Sequence, residues 1–217
     1  MLSNIKLRII SALFILLAFL FGILHSKYFF LLLMILVFFG MIYEWRVMCK
    51  QSKLYILFGY LIITISCGSL IVTRFLESNY IPLLIYFSII WTVDSMALVG
   101  GKTIGGIKLA PKISPNKTWS GLVVGIVCSG FIACLLSYLT DYNLSDFYKF
   151  GINDKILIFL FALCLGLISQ ISDLFISFFK RKFKIKDSGK IIPGHGGMLD
   201  RFDSIILTSP ILLYIIL

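Results

Sequence analysis

Long apolar runs fill most of this chain, and they restrict what it can fold into. Seven such runs cover residues 7–24, 28–48, 54–73, 80–99, 119–139, 156–179 and 204–217. Most of them approach the ~20 residues that an α-helix needs to cross the hydrocarbon core of a bilayer. With 59% hydrophobic residues, the chain has too little polar surface for a water-soluble globule. The sequence therefore predicts an all-α, polytopic integral membrane bundle of about seven transmembrane helices.

The first and last runs differ from the other five. Lys6 and Arg8 precede the first run as they would in a signal peptide, but a second run follows at once and no A-x-A cleavage site is present. We expect the first run to be retained as a helix. The last run, 204–217, is the shortest of the seven. No repeat or linker divides the chain, so residues 1–217 are predicted to form a single transmembrane domain.

Basic residues are concentrated at one face of the predicted bundle. Sixteen of the 20 Lys and Arg residues lie at the N-terminus or near 44–53, 100–118 and 180–203, and the other four lie in the remaining connections. Basic connections tend to stay in the cytoplasm. We therefore expect a multi-pass protein of the cell inner (cytoplasmic) membrane, with a cytoplasmic N-terminus and a polar cavity facing the cytosol.

The connection from Ser177 to Asp203 combines charge, glycine and histidine. It holds seven Lys or Arg, three Asp, four Gly and one His within 27 residues. Asp200 and Asp203 are three residues apart, so on a helix both carboxylates share a face and suit a divalent cation such as Mg²⁺. Glycines let backbone amides approach an anion closely. The basic side chains are numerous enough to neutralise a triphosphate.

A basic loop beside a membrane also has a simpler explanation, because such loops set orientation or attract anionic lipid. Neither task needs interspersed aspartates, a histidine and a glycine cluster. We therefore interpret this loop as a binding site for polyanions and metal, with the orientation signal as the alternative.

Three carboxylates, Glu44, Asp94 and Asp173, lie within or at the edge of predicted spans. Ionisable groups are costly in lipid and usually face the bundle interior, where they mark ligand or ion paths. Asp94 and Asp173 each lie on the order of 8–9 Å before the predicted cytoplasmic end of their helix. This equal depth predicts a shared polar cavity, and a pair of protonated structural aspartates is the alternative. Glu44 is interpreted as a structural, interfacial ion pair with Arg46.

A second polar connection, Gly100 to Ser120, contains four glycines and four lysines. Thr118 is predicted to cap the next helix, and Trp119 is predicted to anchor it at the membrane interface. The spacing of glycines with lysines favours a flexible lid that contacts phosphate. The glycines concerned are Gly100, Gly101, Gly105 and Gly106.

These residues carry a resemblance to a known family. The run S-x-x-K-R-x4-K-D-x-G-x2-I-P-x-H-G-G-x-x-D-R-x-D, from Ser177 to Asp203, resembles the main motif of the phosphatidate cytidylyltransferases, also called CDP-diacylglycerol synthases. Asp94 with the glycines after it, and SPNKTW at 114–119, are similar to a second element of that family. Asp173 matches its acidic residue upstream of the main motif.

The resemblance covers about residues 90–210, which would be the catalytic half of the domain. Two positions depart from the family pattern. Leu98 stands where an aromatic residue is common, and Ile176 stands where Glu is common. These departures concern helix packing more than chemistry.

The resemblance implies an Mg²⁺-dependent nucleotidyltransferase that joins CTP to phosphatidic acid. The catalytic residues it implies are Asp173, Lys180, Arg181, His195, Asp200, Arg201 and Asp203. The substrate-binding residues are Ser114, Lys117, Thr118, Ser177, Lys186, Asp187, Gly194, Gly196 and Gly197. Asp173 and Asp200 would bind the metal, with Asp203 and Asp94 as further candidates and a second cation left open. His195 would either donate to the departing pyrophosphate or make a structural hydrogen bond.

The implied partners are CTP, phosphatidic acid and membrane lipids, with no nucleic acid, and a homodimer stays open. Two other functions use similar residues. A CTP-dependent lipid kinase would pass on the γ-phosphoryl group by similar metal and phosphate chemistry. A cation or proton transporter would also place Asp inside a bundle, but it has no use for the glycine and lysine loop.

Overall fold

The computed structural model describes residues 2–50, 52–77, 79–142, 154–192 and 196–217. This part of the chain is mostly helical, which confirms the predicted all-α membrane bundle. The elements are α1 (Leu2–Leu24), α2 (Lys27–Met48), α3 (Lys53–Leu76), α4 (Ile81–Thr103), β1 (Lys108–Ala110), β2 (Ser114–Thr118), α5 (Trp119–Thr140), α6 (Asp154–Lys182), α7 (Leu199–Phe202) and α8 (Ile205–Ile216).

Within the described residues, five helices, α2 to α6, are long and apolar enough to cross a membrane. Large apolar side chains such as Phe39, Leu57 and Phe131 are exposed on them, as expected for a surface that meets lipid. Among the residues whose side chains the structure describes, shorter apolar helical segments lie at Ile10–Leu24 of α1 and Ile205–Ile216 of α8. The 12 residues of α8 extend about 18 Å, less than the ~30 Å hydrocarbon core. The total of seven spans stays a prediction.

The chain forms two compact units. The first comprises Met1–Tyr80 and Phe178–Leu213, and the second comprises Ile81–Ser177 and Tyr214–Leu217. Helix α6 belongs to the second unit up to Ser177 and to the first unit from Phe178 onward. The prediction that residues 1–217 make one domain stays a prediction.

In the first unit, α1 and α2 form an antiparallel hairpin. Ser26 caps α2, because its hydroxyl accepts a hydrogen bond from the Phe29 amide at 3.2 Å. Gly22 lies so close to α2 that a Cβ there would stand 3.1 Å from the Cα of Phe30. The short turn and this close approach fix the position of α1 along the axis of α2.

An aromatic cluster joins α2, α3 and the end of α6. The indole Nε1 of Trp45 donates to the carbonyl of Tyr55 at 2.8 Å, and the Trp45 ring lies 5.2 Å from that of Phe179. Trp45 is fully buried. A buried indole needs a partner for its N–H, so the Tyr55 carbonyl fixes the start of α3 against α2.

Helix α8 is attached to α3 by serine hydroxyls. Ser209 Oγ lies 2.9 Å from Ser66 Oγ and donates to the Ser66 carbonyl at 3.0 Å, and Ser66 Oγ donates to the Ile205 carbonyl at 3.1 Å. Both serines are buried. Hydrogen bonds between small polar side chains are a common means of holding helices together where lipid tails give no hydrophobic driving force.

In the second unit, α4 and α5 pack closely through glycine. A Cβ at Gly121 would stand only 2.4 Å from the carbonyl oxygen of Ala97, so no larger residue fits there without moving the helices apart. The N-terminus of α5 is fixed by Thr118, whose Oγ1 accepts from the Gly121 amide at 3.1 Å. The predicted cap is confirmed. Trp119, the predicted interface anchor, is 54% exposed.

The connection between α4 and α5 differs from the predicted flexible lid. Gly100 and Gly101 lie within α4, where Gly100 packs against Val124, so the connection begins only after Thr103. Gly105 and Gly106 have positive φ angles of 67° and 102° and lead into a hairpin in which β1 pairs antiparallel with β2. The lid prediction is wrong for Gly100 and Gly101, because their absent side chains serve helix packing.

Candidate active site

The short helix α7 places Asp200 beside Lys180, which lies in the last turn of α6. The Lys180 ammonium donates to Asp200 Oδ1 at 2.8 Å, and the two side chains are only 10% and 11% exposed. Removing a carboxylate and an ammonium from water costs free energy, and the attraction between the two charges compensates for that cost. The structure thus brings together two residues that the sequence predicted to be catalytic.

The second oxygen of Asp200 is held by backbone amides. Oδ2 accepts from the amide of Ser188 at 2.9 Å and from that of Gly197 at 3.2 Å. Gly196, next to it, has a φ of 90° that favours glycine, and it pairs through its carbonyl with the Ile192 amide at 3.0 Å. The loop is therefore folded around the Asp200 carboxylate, with the two amides and Lys180 as donors.

Glu44 on α2 holds the same loop from the other side, a role that the sequence did not indicate. Its Oε1 accepts from the Met198 amide at 3.0 Å, and its Oε2 accepts from the Leu199 amide and from Ser188 Oγ, both at 2.8 Å. Glu44 is 1% exposed. Gly197 is needed there, since a Cβ would stand 2.5 Å from Oε2.

The predicted ion pair between Glu44 and Arg46 is wrong. Arg46 is exposed, whereas the Glu44 carboxylate is buried and bound by donors from the loop. Residues two apart on a helix point in different directions, which explains why these two charges do not meet. The prediction that Glu44 is structural agrees with its contacts.

A second cluster lies within the second unit, where β2 meets α6. Lys117 forms an ion pair with Asp173 Oδ2, and both side chains are about one-fifth exposed. Ser177, one turn further along α6, donates to Asp173 Oδ1 at 3.3 Å. The predicted site residues Lys117, Asp173 and Ser177 therefore lie together.

Gln170 connects this cluster to α4, and the sequence interpretation missed it. Its Oε1 accepts from the Lys117 ammonium at 2.7 Å, and its Nε2 donates to Asp94 Oδ1 at 3.1 Å. Gln170 lies one turn before Asp173 on α6, so the helical spacing was available as a signal. A buried amide between two predicted site residues orients both of them.

The other predicted residues are distributed around the two clusters. Asp203 is buried at the end of α7 and accepts from the Ser204 amide at 2.9 Å. Thr118 is buried with its hydroxyl in the helix cap, and Ser114 begins β2. Four of the predicted residues in the basic loop are exposed, namely Arg181, Lys186, Asp187 and Arg201. His195 and Gly194 lie outside the described residues.

The donors available suit a hard cation. Within residues 2–50, 52–77, 79–142, 154–192 and 196–217, no three His, Cys, Asp or Glu side chains gather as a ready metal cage. Mg²⁺ commonly uses only one or two carboxylates and completes its shell with water and substrate phosphate. Asp173 and Asp200 each fit that requirement within their own cluster, because each carboxylate lies next to a lysine that could accompany a phosphate.

Long apolar helices, two clusters that pair a lysine with an aspartate, and a basic, glycine-containing loop define a membrane-embedded protein equipped for phosphate chemistry. The model of the cytidylyltransferase family matches residues 50–217, and the chain belongs to this family. The resemblance predicted from the motif is thereby confirmed.

Curated relatives cover nearly the whole chain. It is 51% identical over 216 residues to the phosphatidate cytidylyltransferase of Rickettsia bellii, which covers 98% of this chain and 91% of the relative. Identity to the protein of the same name from Rickettsia typhi is 52% over 209 residues, 96% of this chain and 90% of the relative. The Staphylococcus aureus (strain COL) phosphatidate cytidylyltransferase is 43% identical over 126 residues, 58% of this chain and 45% of the relative.

Proposed function

We propose that this protein transfers the cytidylyl group of CTP to phosphatidic acid, giving CDP-diacylglycerol and pyrophosphate for phospholipid biosynthesis. The observation that carries the proposal is the identity of about one half, over 98% of the chain, to a protein named phosphatidate cytidylyltransferase. The carboxylate and lysine clusters supply groups that this reaction needs, and the helices supply access to a lipid substrate.

The reaction makes modest demands on proton transfer. A phosphate oxygen of phosphatidic acid attacks the α-phosphorus of CTP, the bond to the bridging oxygen breaks, and pyrophosphate leaves with the electron pair. A phosphate monoester has a second pKa of ~6, so the nucleophile is already largely ionised at neutral pH. Catalysis then depends on positioning and on neutralising charge.

The cationic side chains would perform that neutralisation. Lys180 is held by Asp200, and Lys117 is held by Asp173 and Gln170, so each ammonium has a defined place before a phosphate arrives. An ordered cation stabilises developing charge more effectively than a mobile one. Arg181, Lys186 and Arg201 add exposed positive charge in the loop that holds Lys180 and Asp200.

Asp173 and Asp200 would each provide a carboxylate oxygen to Mg²⁺, with Asp203 and Asp94 as further ligands or as partners of a second cation. When bound, Mg²⁺ would polarise the phosphoryl oxygens and neutralise part of the triphosphate charge. The protein's own task is to hold these carboxylates in place, and backbone amides do this for Asp200 while Ser177 does it for Asp173.

The reaction is tested with purified protein, phosphatidic acid, Mg²⁺ and CTP labelled at either the α- or the γ-phosphate. We expect α-label in the lipid product, γ-label in pyrophosphate, and loss of both products when a chelator removes divalent cations. Transfer of γ-label to the lipid would instead show a lipid kinase. Absence of any lipid product, with ion flux in proteoliposomes, would show a transporter.

We further propose that the protein lies in the bacterial inner membrane with its basic loops in the cytosol, since 16 of the 20 basic residues lie on that predicted face. Lys108→Cys and Lys184→Cys replace exposed residues in a chain whose native cysteines other than Cys49 have been removed. We expect an impermeant maleimide to label both in inverted vesicles and neither in intact cells.

Tyr80→Cys, at a half-exposed position on the opposite predicted face, should show the reverse labelling. Native Cys49 can stay in place, because it is buried and burial raises the pKa of its thiol to about 11, which leaves little thiolate to react. Strong labelling of Lys184→Cys from outside intact cells would contradict the proposed orientation.

A further inference from the structure

An exposed apolar patch lies where α4 is connected to α5 in the second unit. It consists of Ile104, Ile107 and Trp119, which are 66%, 79% and 54% exposed. Ile104 directly follows α4, and Trp119 is the first residue of α5. Both helices are long and apolar enough to cross a membrane, so their connected ends lie where the hydrocarbon core meets the lipid headgroups. The patch is therefore placed at the membrane interface.

Hydrogen bonds fix the position of this patch. Ile107 comes directly before β1 and Trp119 directly after β2, and the Trp119 amide donates to the Ile107 carbonyl at 3.1 Å. The Ser120 hydroxyl donates to the Gly105 carbonyl. These bonds attach the start of the β1–β2 hairpin to the first turn of α5. The patch is thus a defined surface of the hairpin.

Three lysines accompany the patch, and no acidic residue is near them in the sequence. Lys102 in the last turn of α4, Lys108 in β1 and Lys112 in the turn between the strands are all exposed. Neither Asp nor Glu occurs between Asp94 and Asp141. Within the described residues, none of these three hairpin lysines forms an ion pair. The hairpin therefore combines apolar side chains with uncompensated positive charge.

This combination is typical of segments that lie on an anionic bilayer. Apolar side chains enter the boundary between headgroups and acyl chains, while lysines extend along the apolar surface and place their ammonium groups at lipid phosphates. The attraction to an anionic surface increases with each added lysine. A nucleotide would also attract the lysines, but it would not explain the exposed isoleucines at the ends of membrane helices.

We propose that the β1–β2 hairpin docks on anionic phospholipids of the protein's own membrane, with the apolar patch at the acyl boundary and the hairpin lysines at the lipid phosphates. Docking would also hold Lys117, which lies in β2 and pairs with Asp173, at the level of the headgroups. Phosphatidic acid would then reach Lys117 by moving within the membrane. This last step rests on the proposed function, whereas the docking itself does not.

A fluorophore on the hairpin tests the docking directly. Bimane is attached at Asn116→Cys, an exposed position of β2, in the chain that retains only Cys49 of its native cysteines. The protein is placed in nanodiscs with phosphatidylglycerol or phosphatidylcholine that carries a nitroxide near the headgroup end of one acyl chain. We expect about twofold stronger quenching by phosphatidylglycerol at ~0.1 M salt and equal quenching at ~1 M salt, where the screening length falls from ~10 Å to ~3 Å. Equal quenching at both salt concentrations would overturn the docking.

Removing the charge of the hairpin should remove the lipid preference alone. With Lys102→Gln, Lys108→Gln and Lys112→Gln together, we expect both lipids to quench as phosphatidylcholine does in the wild type. The matched control removes the same charge from three exposed positions elsewhere on the predicted cytosolic face, by Lys50→Gln, Lys53→Gln and Lys184→Gln. It should keep the preference. Loss of the preference in the control as well would show a general attraction to the basic face and overturn the role of the hairpin.

Removing the apolar side chains should have a different effect. Ile104→Ser with Ile107→Ser keeps the lysines but weakens insertion into the acyl boundary. We expect this double variant to lower the quenching by both lipids, because the fluorophore moves away from the nitroxides. Quenching as strong as in the wild type would contradict the placement of the patch in the membrane.

Kinetics in the same nanodiscs distinguish a lipid site from a nucleotide site. The triple variant of the hairpin lysines should raise the KM for phosphatidic acid about 3- to 10-fold and leave the KM for CTP unchanged. A higher KM for CTP alone would assign these lysines to the nucleotide and overturn docking on lipid. If the wild type shows the quenching pattern but makes no CDP-diacylglycerol, the proposed function fails and the docking stands.

Discussion

Asp200→Asn should lower kcat/KM for CDP-diacylglycerol formation at least about 100-fold, which corresponds to about 2.7 kcal/mol of transition-state stabilisation. The substitution preserves size but removes the charge that holds Lys180 at 2.8 Å and that we assign to Mg²⁺. Activation by Mg²⁺ should weaken as well. Initial rates over a Mg²⁺ titration, with CTP and phosphatidic acid each varied in the same detergent, measure both effects.

An effect on folding must be distinguished from an effect on the reaction, because Asp200→Asn leaves the buried Lys180 ammonium without its counterion. The double variant Asp200→Asn with Lys180→Gln removes that problem and should regain thermal stability while remaining inactive. Recovery of more than about a tenth of wild-type turnover in the double variant would refute the catalytic assignment. Asp141→Asn, the same change in an exposed turn after α5, should keep both activity and the Mg²⁺ response.

Glu44→Gln should destabilise the loop that holds Asp200. Three donors converge on the Glu44 carboxylate, and an amide can offer only one oxygen to them. At least one buried backbone N–H would then face another donor, at a cost of about 1–3 kcal/mol. We expect a lower melting temperature and a reduced kcat, because the Ser188 and Gly197 amides that hold Asp200 belong to the same loop.

The KM for CTP and the kcat should be measured at a temperature where the wild type and Glu44→Gln are both folded. Glu77→Gln, at the end of α3, is the only other Glu→Gln change that the sequence allows and should leave melting and kcat unchanged. If Glu44→Gln melted early but had the wild-type kcat when folded, Glu44 would stabilise the bundle without positioning Asp200.

Much of the architecture could be predicted from local sequence. Hydropathy runs located the five helices α2 to α6 to within a few residues, and the threonine before Trp119 correctly indicated a helix cap. These features depend on neighbours in the chain, so the sequence contains them directly. The glycines at 100 and 101 were misinterpreted because glycine occurs both in flexible loops and at close helix contacts. The residue type alone does not distinguish the two.

The ion pairs within the two clusters could not be predicted from local sequence. The motif indicated Lys180, Asp200, Lys117 and Asp173 as site residues, but not that each lysine would bind one of the aspartates. Gln170 binds Asp94 across 76 positions of sequence. An amide side chain in an apolar helix gives no indication of which distant residue it will meet.

The sequence by itself determined that this is a helical membrane protein of the cytidylyltransferase family, because hydropathy and a long motif are properties of residue order. The tertiary structure decided what Glu44 does. Its partners lie 144 to 155 positions away, and two of the three are backbone amides. Every residue except proline carries such an amide, so no side-chain pattern marks the ones that a folded loop turns toward a buried carboxylate.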